Sequence, residues 1–106
     1  MNARLVLCTC PDATTAATLA RLLVEEHLAA CVNAIGGVAS TYRWNGAVET
    51  AEEVLLVIKT TSERLDAMQA RLVAAHPYEV PEVVAIEPAA GFAPYLAWIA
   101  AETRAE

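Results

Sequence analysis

The pair Asn45 and Gly46 constrains the fold of this chain more than any other short signal in it. Both residues tolerate the positive φ angles of a type I′ turn, whose twist matches that of two paired strands. Extended segments lie on either side of the pair, from Val38 to Trp44 and from Ala47 to Thr60, and the second contains the apolar run 54–58. The pattern predicts a long antiparallel β-hairpin in the middle of the chain.

Shorter extended segments lie elsewhere in the sequence. The apolar run 5–10 predicts strand one, and the run 83–86 predicts strand four. Residues 30–35 predict the first part of strand two, which Gly36 and Gly37 break or bulge before it enters the hairpin.

Three helices are predicted from capping residues and apolar spacing. Asp12 is the expected N-cap of helix one, which runs to about His27, and Thr61 or Ser62 is expected to cap helix two. Pro94 suits the first turn of a short C-terminal helix. The apolar positions expected to face inward are Ala16, Leu19, Leu22, Leu23, Leu65, Met68, Leu72, Val73, Tyr95, Leu96 and Ile99.

The resulting order, β-α-β-β-α-β followed by a helix, predicts a ferredoxin-like α+β sandwich, with residues 1–106 as one domain. Right-handed crossovers place both main helices on one face of the sheet. Strand three nevertheless carries Leu55 and Val57 opposite Leu56, and apolar residues on both faces are typical of a sheet that is covered on both sides. We therefore expect other subunits to cover the second face in a closed symmetric oligomer.

Composition supports an oligomer and excludes several classes of function. Hydrophobic residues make up 57% of the 106 residues, whereas a domain of this size buries only roughly 60–70% of its unfolded surface. The net charge of −6 disfavours nucleic-acid binding. No apolar stretch reaches the roughly 20 residues needed to span a membrane, and no secretory signal is recognised. Three cysteines are too few for a disulfide scaffold, so we expect reduced thiols and a cytoplasmic location.

Chemically active residues gather at one edge of the predicted sheet. Pro77 ends helix two, and the topology brings the end of strand one, the end of helix two and the start of strand four together. The tip of the hairpin, with Trp44, points the same way. The groups expected at this edge are Cys8, Cys10, His76, Tyr78, Glu79 and Glu82.

Thiolate and imidazole ligands suit copper or zinc, whereas carboxylates alone suit calcium or magnesium. We therefore predict a metal site at Cys8 and His76, completed by Glu79 and Glu82. Cys10 shares a strand face with Cys8, but it is less favoured as a ligand. Two alternatives stay open: Cys8 is a small core hydrophobe, and His76 is a cation at a helix C-terminus.

A second set of residues predicts a ligand pocket. Trp44 and Tyr78 are candidate walls, although aromatic side chains more often serve packing. Lys59, towards the lower end of strand three, is a candidate anion ligand at a subunit boundary or a lysine that extends along the surface. The sequence has no nucleophile elbow, no phosphate-binding loop and no dinucleotide fingerprint, so we expect neither an enzyme nor an organic cofactor.

Five segments of the chain resemble the CutA divalent-cation-tolerance family, and together they extend over most of its length. They are Val6-Leu7-Cys8-Thr9-Cys10-Pro11-Asp12, Leu28-Ala29-Ala30-Cys31-Val32-Asn33, Tyr42-Arg43-Trp44-Asn45-Gly46, Ile58-Lys59-Thr60-Thr61 and His76-Pro77-Tyr78-Glu79-Val80-Pro81-Glu82.

The resemblance implies a tight homotrimer of ferredoxin-like protomers, similar in architecture to the PII signalling proteins. It implies a role in the tolerance of copper and other divalent ions. Some members bind copper through a strand-one cysteine, here matching Cys8, and a histidine pair before the Pro-Tyr motif. This chain keeps the second histidine as His76 but has Ala75 at the first position. A PII-like sensor that binds a small ligand between subunits and a structural trimeric scaffold are the two alternative functions.

Overall fold

The computed structural model describes residues 2–105. Four strands form one antiparallel sheet in the order β2-β3-β1-β4, and three α-helices pack on it. The elements are β1 (Ala3–Cys10), α1 (Ala13–Glu25), β2 (Cys31–Trp44), β3 (Ala47–Thr61), a 3-10 turn (Ser62–Arg64), α2 (Leu65–Ala75), β4 (Val84–Ile86) and α3 (Ala93–Glu102). The predicted α+β class and element order are confirmed.

Strands β2 and β3 form the predicted hairpin, with 14 and 15 residues. Asn45 and Gly46 have φ angles of 49° and 79°, the positive values that a type I′ turn requires. The pairing register shifts between Ile35 and Val38, where Gly37 has a φ of 72°. The glycine pair therefore forms a bulge that lets one continuous strand bend into the hairpin arm.

Helices α1 and α2 cover one face of the sheet. Leu23 of α1 and Leu72 of α2 are fully buried in one core with Leu56 of β3. Burying a leucine side chain of this kind stabilises a fold by about 1.5–3 kcal/mol. The other buried members of this core are Val6, Cys8, Cys10, Ala16, Leu19, Leu28, Ala29, Val54, Ile58 and Met68.

The second face of the sheet carries apolar side chains on all four strands. Leu7 is paired with Val57 on one side and with Val84 on the other, and Leu55 is paired with Ile35. Directly paired residues point to the same side of a sheet, so these side chains form one surface. Its large apolar members are Leu5, Leu7, Ile35, Leu55, Val57, Val84 and Ile86, and we call it the open face.

Helix α3 covers only one end of the open face. Ile99 is 2% exposed and packs with Ala3 and Ala30. Val84 and Ile86, on the edge strand β4, are 52% and 43% exposed. Pro94 occupies the first turn of α3, as predicted. No helix of the described residues is long and apolar enough to cross a membrane.

Helix α1 is capped as predicted, but it ends earlier than predicted. The Asp12 side chain accepts a hydrogen bond from the Thr15 amide at 2.7 Å. The helix ends at Glu25 rather than near His27, which has a left-handed φ of 58°. The Leu28 amide then donates to the Leu23 carbonyl at 2.9 Å, which closes the helix end.

Two predictions for α2 and one for α3 are wrong. Neither Thr61 nor Ser62 caps α2, because the 3-10 turn intervenes and Arg64 occupies the N-cap position. Val73 is 42% exposed because it follows Leu72 by about 100° of helix rotation, which turns it away from the sheet. Tyr95 of α3 is 41% exposed because it lies in the first turn of the helix, where its ring contacts Trp98 with centroids 5.6 Å apart, whereas Ile99, one turn later on the same face, reaches the core.

Candidate functional site

Cys8 and Cys10 lie near the C-terminal end of β1, on the face that the helices cover. Alternation along a strand puts residues two apart on one side. Both cysteines are completely buried, and both are free thiols. Cys31, the third cysteine, is partly exposed and lies on the open face, where it is paired with Lys59.

His76 reaches the two thiols from the end of α2. Its backbone amide donates to the Leu72 carbonyl at 2.9 Å, and its backbone then becomes extended. This change is favoured because the following Pro77 disfavours helical geometry in the residue before it. The His76 side chain is only 7% exposed.

Two backbone groups hold the His76 ring and define its tautomer. The Tyr78 amide donates to Nδ1 at 3.1 Å, so Nδ1 carries no proton. Nε2 lies 2.9 Å from the Thr9 carbonyl oxygen, which can only accept, so the proton is on Nε2. The ring therefore fastens the segment after α2 to β1.

The ligand atoms of Cys8, Cys10 and His76 all lie within 4.8 Å of one another. Tetrahedral coordination with bonds of about 2.3 Å would place sulfur ligands about 3.8 Å apart, so only a small contraction separates this arrangement from a metal site. The donor set fits a soft or borderline cation. Both ring nitrogens of His76 already have hydrogen-bond partners, so a metal ion has to displace one of them in order to bind.

The Cys8 thiol donates to the Thr9 carbonyl at 3.8 Å. The neighbouring Cys10 thiol, together with burial and the negative charges of Glu82 and Glu53, raises the pKa of Cys8 above its usual range. The interaction with Cys8 lowers the pKa of Cys10, against an opposing effect of burial. Since a metal binds the thiolates, its binding has to release protons from this pair.

A second buried polar contact lies beside the thiols. The Tyr78 hydroxyl donates to Glu53 Oε2 at 2.6 Å. Burial and this contact with Glu53 raise the pKa of Tyr78, so the hydroxyl keeps its proton and stays a donor. The Tyr78 ring also packs on the His76 ring, with centroids 4.7 Å apart. The segment after α2 thus links the thiol cluster to β3.

A cleft of about 740 Å³ opens in front of these contacts, between the hairpin arm and residues 77–82. Three aromatic side chains and four carboxylates are among its lining groups. They are Tyr42, Trp44, Tyr78, Glu49, Glu53, Glu79 and Glu82. No lysine, arginine or histidine of residues 2–105 lines it.

The predicted site residues thus divide among three places. Cys8 and His76 lie together in the buried cluster, whereas Glu79 and Glu82 line the adjoining cleft. Trp44 and Tyr78 also line the cleft, as expected of pocket walls. Lys59 does not line this cleft, because it lies near the C-terminal end of β3, where it is paired with Leu5 and Cys31.

Sequence reasoning underrated two residues. Cys10 joins the cluster fully, and its signal was the spacing of two from Cys8 on a strand. Glu53 was not identified as a site residue, although it is only 8% exposed and bonds to Tyr78. It sits within a run of acidic residues in β3, and nothing local distinguishes it from the exposed Glu52.

Comparison with known proteins places the chain in one family. A sequence model of the CutA1 divalent ion tolerance protein family matches residues 4–102. The divalent-cation tolerance protein CutA of Thermus thermophilus is 47% identical over 98 residues, which are 92% of this chain and 95% of that protein. The CutA homolog of Xenopus laevis is 47% identical over 91 residues, or 86% of this chain and 60% of that longer protein.

Solved structures give the same result. The crystal structure of CutA from Xylella fastidiosa superimposes with a TM-score of 0.95 at 43% identity, covering 98% of this chain and all of that chain (100%). The Thermus thermophilus protein superimposes with a TM-score of 0.94 at 45% identity, covering 96% of this chain and 99% of that one. This chain therefore belongs to the CutA1 divalent ion tolerance family.

Proposed function

We propose that this protein is a non-enzymatic, trimeric cation-binding protein that acts in divalent-cation tolerance through Cys8, Cys10 and His76. The single observation that carries the proposal is the convergence of two thiols and an imidazole within 4.8 Å. Copper is the first candidate and zinc the second, because both favour sulfur and imidazole ligands. The family to which the chain belongs supports the same role.

Glu79 and Glu82 act in this proposal as attracting charges rather than as direct ligands. Both are exposed and line the cleft, and the charge of Glu82 acts on the Cys8 thiol. Carboxylates at the mouth of a site raise the local concentration of cations. With only one histidine, since Ala75 replaces the first of the family's pair, Cys10 supplies the third donor.

Binding requires the segment after α2 to move. Cys8 and Cys10 are completely buried, and His76 has a backbone partner on each ring nitrogen. A cation therefore has to break either the contact to Thr9 or the contact to Tyr78. The thiols must be reduced to bind it, which is consistent with a cytoplasmic location.

The trimer is proposed from the open face. Contiguous apolar surface across four strands is more than a monomeric domain usually exposes, and its centre, Leu7 and Val57, is only partly covered within one chain. The strand order β2-β3-β1-β4, with α1 and α2 on one face, supports a ferredoxin-like protomer. Three such protomers would bury their open faces against one another in a closed ring.

The test is metal titration of the reduced protein against a competing chelator, with Cu(I) and Zn(II) in turn. Cys8→Ser, Cys10→Ser and His76→Gln should each weaken binding by roughly tenfold or more, because each removes a ligand. Cys31→Ser and His27→Gln are the matched controls, since they make the same chemical changes outside the cluster. Equal affinity in the three site variants and in the controls would exclude this site.

A ligand-binding sensor similar to the PII proteins is the second candidate, because the protein has a cleft of about 740 Å³. A cleft of this volume is within the usual range for small-molecule sites. Its acidic lining argues against the anionic ligand that Lys59 suggested. Thermal-shift screening of small molecules tests this candidate, since a ligand that binds only the folded state raises apparent stability.

A further inference from the structure

Cys8 and Cys10 are two thiols on the helix-covered face of β1, away from the open face. Their sulfur atoms lie within 4.8 Å of each other, and both side chains are completely buried. They belong to the same core as Leu23 of α1 and Leu72 of α2, so an assembly through the open face leaves them as they are. The inference below rests on the proposed function and deepens it, because it concerns a second class of ligand for the same cluster.

The backbone of β1 keeps the two thiols from closing a disulfide. Residues two apart on a strand are separated by about 6.6 Å, and their parallel side chains keep the two Cβ atoms at a similar distance. A disulfide needs Cβ atoms about 3.8 Å apart. Cys8 is paired with Leu56 and Cys10 with Val54, on a strand that has a neighbour on each side in the sheet. Direct oxidation to a disulfide would therefore have to buckle an interior strand.

A single atom inserted between the sulfur atoms needs a wider spacing than a disulfide does. An atom that holds both sulfur atoms through bonds of about 2.3 Å places them roughly 3.5–3.8 Å apart. Rotation of the two side chains about their Cα–Cβ bonds reaches this spacing from the one in the structure and leaves the strand in place. The pair therefore fits a chelated atom and does not fit a direct sulfur–sulfur bond.

Trivalent arsenic and antimony suit this pair in both bonding and charge. They are soft centres, which prefer thiolate ligands. Arsenous acid is neutral at neutral pH, so it enters a buried site without the desolvation cost that a divalent cation has to overcome. It also needs no ring nitrogen, so His76 keeps its contacts to the Thr9 carbonyl and the Tyr78 amide.

We propose that Cys8 and Cys10 together bind a trivalent arsenic or antimony hydroxide as a dithiolate chelate. Two arsenic–sulfur bonds form and two arsenic–oxygen bonds break, and each displaced hydroxide leaves with one thiol proton as water. Arsenic stays trivalent and keeps its third hydroxyl, so no oxidant or reductant takes part. The cluster then serves two classes of ligand, cations through all three donors and neutral metalloids through the two thiols.

The experiment measures binding of sodium arsenite to the full-length protein, reduced with a phosphine, in competition with the small dithiol dimercaptosuccinate. The thiols are buried, so each sample is read only after it has reached equilibrium. We expect one arsenic per chain, seen in intact-mass spectrometry as the mass of arsenous acid less two waters. Cys8→Ser and Cys10→Ser should each weaken binding by roughly 100-fold or more, because the second sulfur bond no longer forms within one molecule.

Cys31→Ser is the matched control, since it makes the same change in the third thiol, outside the cluster. It should leave the arsenite affinity unchanged. His76→Gln separates the two classes of ligand, because it should weaken zinc binding and should not weaken arsenite binding. X-ray absorption at the arsenic edge should show two sulfur atoms and one oxygen atom. Cys8→Ala and Cys10→Ala repeat the comparison if circular dichroism shows that a buried serine prevents folding.

Four results would overturn the proposal. They are absence of saturable arsenite binding, equal affinity in Cys8→Ser, Cys10→Ser and Cys31→Ser, fewer than two sulfur atoms around the bound arsenic, and loss of arsenite binding in His76→Gln. Failure of the cation site is a separate outcome, because zinc titration of the same protein measures it. A protein that binds arsenite through both thiols and no zinc or copper would support this proposal and exclude the proposed cation binding.

Discussion

Replacing His76 with alanine should free the segment after α2 from β1. The change removes the Nε2 contact to the Thr9 carbonyl at 2.9 Å and the Tyr78 amide contact to Nδ1 at 3.1 Å. Each hydrogen bond contributes about 0.5–1.5 kcal/mol net, so the pair contributes about 1–3 kcal/mol to keeping the segment closed. The ring contact with Tyr78, with centroids 4.7 Å apart, adds to this.

Native-state hydrogen exchange at the Tyr78 amide measures this effect directly. A loss of about 1–3 kcal/mol from the local opening free energy should speed exchange at this amide by roughly 5- to 150-fold. Amides of the β1–β3 ladder should change little, because the core beneath them is intact. His27→Ala is the control, since the His27 ring contacts the Glu102 carbonyl instead. Unchanged Tyr78 exchange in His76→Ala would refute the idea that the histidine holds this segment.

Three further predictions concern assembly and stability. Val57→Asp, at the centre of the open face, should lower the sedimenting mass from that of a trimer, whereas Val73→Asp on the outer side of α2 should not; a trimer in both variants would contradict the proposed interface. Leu56→Ala should destabilise the protein by about 2–5 kcal/mol in guanidinium unfolding, since the side chain is fully buried, and a loss below about 1 kcal/mol would show that the core relaxes around the cavity. The hydrogen bond from the Thr15 amide lowers the pKa of Asp12, so the ionised Asp12 stabilises the fold above its ordinary pKa and this stabilisation is lost as the pH falls through the lower pKa of the folded state. Asp12→Asn should keep the cap and remove this part of the acid dependence of the melting temperature. An unaltered dependence of the melting temperature on pH would refute this prediction.

The architecture was predictable because its signals are local and agree with one another. Asn45 and Gly46 define the hairpin, and Asp12 begins α1, each through a backbone requirement that few residues meet. The start of α2 was not predictable from Thr61 and Ser62. Both residues favour an N-cap, but the chain first forms a 3-10 turn, and the Ser62 hydroxyl bonds to the neighbouring Glu63 carboxylate instead.

Only the part of the candidate site that follows from strand direction and spacing could be predicted from the sequence. Strand direction brought Cys8 and His76 to one edge, and the spacing of two put Cys10 on the same face. The two backbone partners of the His76 ring depend on how the chain turns after Pro77, which no sequence pattern specifies. Glu53 differs from Glu52 only in the neighbours that the folded chain gives it, above all the Tyr78 hydroxyl.

The most direct test of the central claim is X-ray absorption spectroscopy of the zinc-loaded Cys31→Ser protein, in which Cys8 and Cys10 are the only thiols that remain. The account predicts two sulfur ligands at about 2.3 Å and one imidazole nitrogen at about 2.0–2.1 Å, with the sulfur contribution lost when both cysteines are replaced by serine. A coordination shell of oxygen and nitrogen alone would contradict it and would place the cation at the exposed carboxylates instead.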